Sequence, residues 1–143
     1  MEVIALNGSA DCGKSGTLNI VYQLLLNAGY TQVKGHFGKP EAMNFIGEDL
    51  YGSNDFFDVL ANGNKFVGIT TGESSEDELE KRLSSFVNAG CVKAICAYTN
   101  TDKYLAIVNK YASHKLIDKI SQPEESLKRI TDGDFARKII ALV

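Results

Sequence analysis

No basic tail or stripe runs through this chain. Its formal net charge is -3, from 15 Lys and Arg against 18 Asp and Glu, so the electrostatic footprint of a nucleic-acid binder is missing. Long apolar runs are missing too: none approaches the roughly 20 residues needed to span a bilayer. Met1-Glu2 leads straight into a strand pattern, with no basic region and signal-like apolar stretch before it. The expectation is a cytoplasmic protein with neither nucleic-acid nor membrane partners. Cysteine is sparse. Cys12, Cys91 and Cys96 form no C-x-x-C pair and no zinc-ligand spacing. Cys91 and Cys96 flank a buried-looking strand and read as small core residues. His36 and His114 stand alone, which suits surface or packing roles. Redox and transition-metal readings are weak on this inventory.

The 143 residues, 44% hydrophobic and 23% charged, are what one ordinary globular domain requires. There is no linker, internal repeat or low-complexity segment, so residues 1–143 read as a single domain. Glu2 to Leu6 is a short apolar run that suits a buried strand. Lys14 to Ala28 reads as a helix, with Leu18, Val21, Leu24 and Leu25 at helical spacing and Gly29 as its stop. Gln32 to Phe37 is a second strand, and the polar, glycine-punctuated stretch Gly38 to Asn54 is mostly loop.

Two apolar runs, Phe56 to Ala61 and Lys65 to Thr70, flank Asn62-Gly63-Asn64. Asn-Gly between such runs signals a hairpin, because both residues tolerate positive φ. One strand must therefore run against an otherwise parallel set. Ser75 and Glu78 then form a capping box ahead of a helix whose buried face is Leu79, Leu83, Phe86 and Val87, ending near Gly90. Val92 to Tyr98 is a strand. Thr101 to Ala112 is a helix with Leu105, Val108 and Ala112 inward, and Lys115 to Ile120 is a short strand. A last helical region begins near Pro123, breaks at Asp132-Gly133 and resumes through Phe135, Ile139 and Ile140. This order predicts a three-layer α/β domain with a mostly parallel sheet and one antiparallel hairpin strand.

The most informative stretch lies between the first strand and the first helix. Gly8-Ser9-Ala10-Asp11-Cys12-Gly13-Lys14-Ser15 satisfies G-x-x-x-x-G-K-[ST] at every fixed position. Gly8 and Gly13 permit a backbone that a side chain would obstruct. The amides of Ala10 to Ser15 can form a concave nest for a phosphate at the helix N-terminus. Lys14 supplies a charge for the β- and γ-phosphates, and the Ser15 hydroxyl suits Mg²⁺. Gly16 and Thr17 extend the site toward the α-phosphate. Asp11 and Cys12 are unusual in such a loop: a carboxylate beside phosphate, and a thiol near a helix N-terminus and a lysine.

On these residues the chain resembles the P-loop NTPase superfamily, and the element order extends the resemblance over most of its length. Membership implies binding of ATP or GTP with Mg²⁺. A narrower resemblance joins LNGSADCGKSGTL, the Asn-Gly hairpin, KFVGITTGE and NAGCVKAICAYTNT, which together look like small bacterial single-domain ATP-binding proteins. That group has no assigned activity and lends no catalytic residues.

A P-loop enzyme usually holds Mg²⁺ with a second acid at the end of a neighbouring strand. Two residues are candidates here, Glu73 and Asp102. Glu73 is preferred, because Thr70, Thr71 and Gly72 make a polar end to a strand expected to neighbour the first. Thr99-Asn100-Thr101-Asp102 resembles the guanine-reading motif of GTPases, but Asn100 stands in the lysine position, so ATP is favoured over GTP. Arginine is scarce: only Arg82, Arg129 and Arg137 occur. Phosphoryl-transfer sites commonly use several guanidinium groups. Arg82 follows Glu78 by four residues, as in an exposed helix pair. The only room for an acceptor is the stretch Gly38 to Asn54, with Lys39, Glu48, Asp49 and Tyr51.

The reading is a nucleoside triphosphate-binding protein with slow or partner-stimulated hydrolysis, Lys14 and Glu73 being the catalytic candidates. A small-molecule or nucleotide kinase, and a non-hydrolysing nucleotide-sensing regulatory domain, are the alternatives. Partners would be the nucleotide and an unidentified protein or small-molecule acceptor.

Overall fold

The computed structural model describes residues 1–8, 14–33, 57–71, 76–99, 101–111, 113–118 and 125–143. Its elements are β1 (Glu2–Gly8), α1 (Lys14–Asn27), β2 (Thr31–Gln32), β3 (Phe57–Asn62), β4 (Lys65–Thr70), α2 (Glu76–Asn88), β5 (Lys93–Thr99), α3 (Asp102–Asn109), β6 (His114–Asp118) and α4 (Glu125–Leu142). The six strands form one sheet in the order β2-β3-β4-β5-β1-β6. β4, β5, β1 and β6 are parallel neighbours, and β3 pairs antiparallel with both β2 and β4. The single reversed strand and the α/β layering match the expectation.

Strand alternation divides the core. Ile4 and Leu6 of β1 join Leu18, Val21 and Leu25 of α1 and Phe135, Ala136 and Ile139 of α4 on one face. Val3 and Ala5 join Leu79, Leu83 and Phe86 of α2 and Ile107 and Val108 of α3 on the other. Because β1 is covered on both sides, it reads as an unbroken apolar run rather than an alternating one.

α1 and α2 stop in the same way. Gly29 and Gly90 have φ of 99° and 82°. The amide after each glycine reaches back five residues, Tyr30 N to Leu25 O and Cys91 N to Phe86 O, both at 3.0 Å. These bonds satisfy carbonyls that the helix end would otherwise leave open. Both stops were legible in the sequence.

Several boundaries differ from expectation. The hairpin turn is Gly63-Asn64, with Asn62 still paired to Lys65 in the ladder; only the two-residue turn lets the strands keep register. β2 is confined to Thr31–Gln32, extended by the bond from Val33 N to Val59 O, 3.0 Å; residues 34–37 lie outside the described residues. α3 starts at Asp102, because Thr101 is its N-cap and accepts from Tyr104 N. Ile107 and Val108 are its buried residues and Leu105 is only partly buried, while Ala112 lies outside the described residues. α4 runs unbroken through Asp132-Gly133. One helical glycine costs about 1 kcal/mol, which the burial of Phe135, Ala136 and Ile139 offsets. Ile139, Ile140 and Val143 pack inward on the α1 side. Ser75, Pro123 and the stretch Gly38 to Asn54 are outside the described residues.

Val87 is 47% exposed and does not belong to the buried face of α2. At about 100° per residue, Leu79, Leu83 and Phe86 define a narrow stripe. Val87 falls roughly 70° to one side of it and Arg82 a similar angle to the other.

Gly68 has a packing reason. A Cβ there would collide with the Phe86 ring, which lies directly on the β4 backbone. Gly68→Ala should therefore destabilise the fold by about 1–3 kcal/mol, read as a lower urea midpoint.

Burial pushes the Cys91 thiol from its ordinary 9.0 up to about 11. The fold thus favours the neutral thiol, and that contribution is complete below pH 9 and lost as pH rises toward 11. Stability should fall across that interval with a slope of up to about 1.4 kcal/mol per pH unit. Cys91→Ala should flatten this segment of the urea-midpoint profile, whatever the variant's stability at neutral pH.

Candidate functional site at the carboxyl edge of the sheet

β1 leaves the sheet at Gly8 and the chain re-enters regular structure at Lys14. Ser9, Ala10, Asp11, Cys12 and Gly13 bridge the two and lie outside the described residues. Strand and helix thus stand on the two sides of the motif, as its mechanism requires. Lys14 turns back across the gap, its Nζ donating to the Gly8 carbonyl at 3.0 Å. Gly16 and Thr17 are buried, Thr17 completely. Ser15 lies in the first turn of α1, a turn with no acidic residue. The positive end of α1 therefore carries a lysine and no compensating carboxylate within the helix, which is an environment for an anion.

Topology places this gap at a particular point. α1, which follows β1, packs on one face of the sheet, and α3, which follows β5, packs on the other. β1 and β5 are adjacent, with Gly8 paired to Thr99. Where neighbouring strands send their connections to opposite faces, a crevice opens beyond their carboxyl ends. Gly8 ends the strand on one side of this point, and Thr101-Asp102 follows β5 on the other.

This arrangement corrects the premise for preferring Glu73. β4 does not neighbour β1; β5 stands between them, which sets the two strands about 10 Å apart. The sequence could not reveal the strand order, because pairing is decided by long-range packing. Glu73 itself is outside the described residues, while Asp102 is exposed in the first turn of α3, directly after the strand beside β1.

Arg82 is likewise not an exposed helix pair. Its side chain is 14% exposed and ion-paired to Glu78. It also donates to Thr70 Oγ1 at 2.9 Å and lies 4.6 Å over the Phe57 ring. A long side chain leans toward the start of its helix, which carries the guanidinium up to the last residue of β4 and the first of β3, themselves a ladder pair. The available signal was its place at the margin of the Leu79-Leu83-Phe86 stripe. Arg137 is exposed and paired to Asp134 within α4.

On the opposite face, Tyr22 of α1 donates to Asp58 Oδ2 at 2.8 Å, and Asp58 Oδ1 accepts from Val59 N at 2.8 Å. Gln32 donates to the Tyr22 hydroxyl. Asp58 and Tyr22 are 1% exposed. Burial pushes the Tyr22 hydroxyl well above the ordinary phenol range, against the Gln32 hydrogen bond and with the help of the Asp58 charge, so Tyr22 remains a proton donor at neutral pH. No spacing rule links residues 22 and 58, and the sequence carries no signal for the pair.

Both clusters lie beneath the crevice rather than in it. Thr70 is level with Cys96 and Cys96 with Ala5, three residues below Gly8, or about 10 Å. They secure the sheet below the carboxyl end of β4 and the first residue of β3.

Among the described residues there is no group of three or more His, Cys, Asp or Glu that could hold a metal ion. None of the helices, searched over the same residues, is long and apolar enough to cross a membrane. Comparison with protein-family models, curated proteins and solved structures finds no match.

Tyr22→Phe removes a donor from a buried carboxylate and should cost about 1–3 kcal/mol. The check is the urea midpoint at neutral pH, with an unchanged slope showing that the denatured state is unaffected.

Proposed function

We propose that the chain binds the polyphosphate of a nucleoside triphosphate, ATP in preference to GTP, together with Mg²⁺. The observation that carries this reading is positional. A complete G-x-x-x-x-G-K-[ST] motif bridges β1 and α1, at the point where the connections after β1 and β5 diverge to opposite faces. A chance glycine-rich turn would have no reason to fall there.

In this reading the amides from Ala10 to Ser15 cradle the β-phosphate, and Gly16 and Thr17 support the α-phosphate end through the backbone. Lys14, already turned over the mouth of the gap, exchanges the Gly8 carbonyl for phosphate oxygens. Exchanging a neutral acceptor for an anionic one strengthens the bond. The Ser15 hydroxyl would help hold Mg²⁺, which when bound would neutralise phosphate charge. Asp102, at the exit of the strand beside β1, is the better of the two acids to order water around that ion, and Glu73 is second.

Turnover is expected to be slow or to depend on a partner. Arg82 is engaged with Glu78, Thr70 and Phe57 below the crevice, and Arg137 with Asp134 on an exposed helix surface. Neither is placed to neutralise a transferring phosphoryl group. Hydrolysis is the first reading, and a small-molecule or nucleotide kinase is the alternative.

Calorimetric titration of ATP, GTP and their diphosphates, with and without Mg²⁺, tests the assignment. Lys14→Ala should abolish binding of both triphosphates while leaving the urea midpoint within about 1 kcal/mol of the parent, as a surface change would. Unchanged affinity in Lys14→Ala would refute nucleotide binding at this loop.

A further inference from the structure

β6 is the last strand of the sheet, and among the described residues it pairs only with β1. The Ser113 carbonyl accepts from Val3 N at 3.1 Å. In the alternation of a parallel ladder, residues 113, 115 and 117 therefore turn their peptide groups toward β1. Residues 114, 116 and 118 turn theirs outward. At the centre of that outward row stands Leu116, 46% exposed and one of three large exposed hydrophobics among the described residues. The opposite edge differs: β2 has two residues, and Thr31 Oγ1 already donates to Ala61 O.

The sequence of β6, His-Lys-Leu-Ile-Asp, is self-complementary when run against itself. An antiparallel partner related by a two-fold axis at Leu116 pairs residue 116 with its own copy and residue 114 with 118. All three are outward-facing positions, so each pair exchanges both backbone hydrogen bonds. The same register sets an imidazole residue opposite a carboxylate residue at each end and joins the two exposed leucines at the centre. A parallel partner would put like residues alongside one another and lose this match.

We propose that β6 is a self-association edge, at which two copies of this chain pair antiparallel about Leu116 into a continuous sheet of twelve strands, six from each copy. The occupant is a second copy because only that register sets Leu116 against Leu116 and residue 114 against residue 118 in backbone-bonded pairs. A strand of five residues supplies less contact than the roughly 1,200 Å² typical of a stable interface. The dimer is therefore weak and concentration-dependent. It is independent of nucleotide.

Sedimentation velocity of the nucleotide-free protein over a wide concentration range tests this. The parent should move reversibly from monomer to dimer as concentration rises. Leu116→Lys sets like charges directly opposite at the axis and should hold the protein monomeric throughout. Leu116→Pro removes only an outward amide, which an edge strand tolerates, and should give the same result by blocking backbone pairing. The urea midpoint of each variant confirms that it is folded. A parent that stays monomeric at every concentration, or a dimer that survives folded Leu116→Lys or folded Leu116→Pro, overturns the proposal.

Discussion

Everything at the carboxyl edge depends on β1 being gripped from all sides. It is hydrogen-bonded to β5 and β6, and its side chains alternate into two separate cores, so that Val3, Ile4, Ala5 and Leu6 have no exposed surface. A strand held this way cannot shift by one residue without turning every side chain to the wrong layer. Gly8 is thereby fixed in height and direction, and so is the start of α1, whose Leu18, Val21 and Leu25 share the core with Ile4 and Leu6. The two ends of the segment 9–13 are therefore set by packing on both faces of β1.

What the sequence disclosed and what it withheld divide along distance. The buried run of β1, the glycine stops of α1 and α2 and the presence of a hairpin are written within a few adjacent residues, and all were legible. Strand order is not local, and placing β4 beside β1 was wrong because β5 intervenes. Arg82 was misplaced for a related reason. Its partner Glu78 is one helical turn away and visible, whereas Thr70 and Phe57 become neighbours only after the sheet has formed. The continuous α4 shows the converse, a local helix-breaking signal at Gly133 overridden by the core contacts of Phe135, Ala136 and Ile139 that follow it. The residues of the G-x-x-x-x-G-K-[ST] stretch are adjacent and are read directly from the sequence, whereas which acid follows the strand beside β1 depends on strand order.

The start of β3 is pinned from both faces. Phe57 lies beneath the Arg82 guanidinium on the α2 side, and Asp58 receives the Tyr22 hydroxyl on the α1 side. Alternation makes this possible, since consecutive residues of one strand look in opposite directions. A buried carboxylate and a largely covered guanidinium are expensive to desolvate. Each is supplied here with specific partners, so the cost is offset and the pairing becomes selective for one register of β3 against β4. The polar groups act less as adhesive than as keys.

The reversed direction of β3 has a consequence for how the protein can vary. Because β3 runs against its neighbours, its first residue stands at the carboxyl edge, and β2 is heading for that same edge when it reaches Val33. Residues 34–56 therefore span two anchor points on one side of the sheet. Lengthening such a closed segment costs little, about 0.6 kcal/mol for each doubling, and disturbs no strand register. Natural or laboratory variation could exchange that segment wholesale while the strand, helix and loop beside it stay as they are. Diversification of this architecture would be concentrated in that one replaceable cassette.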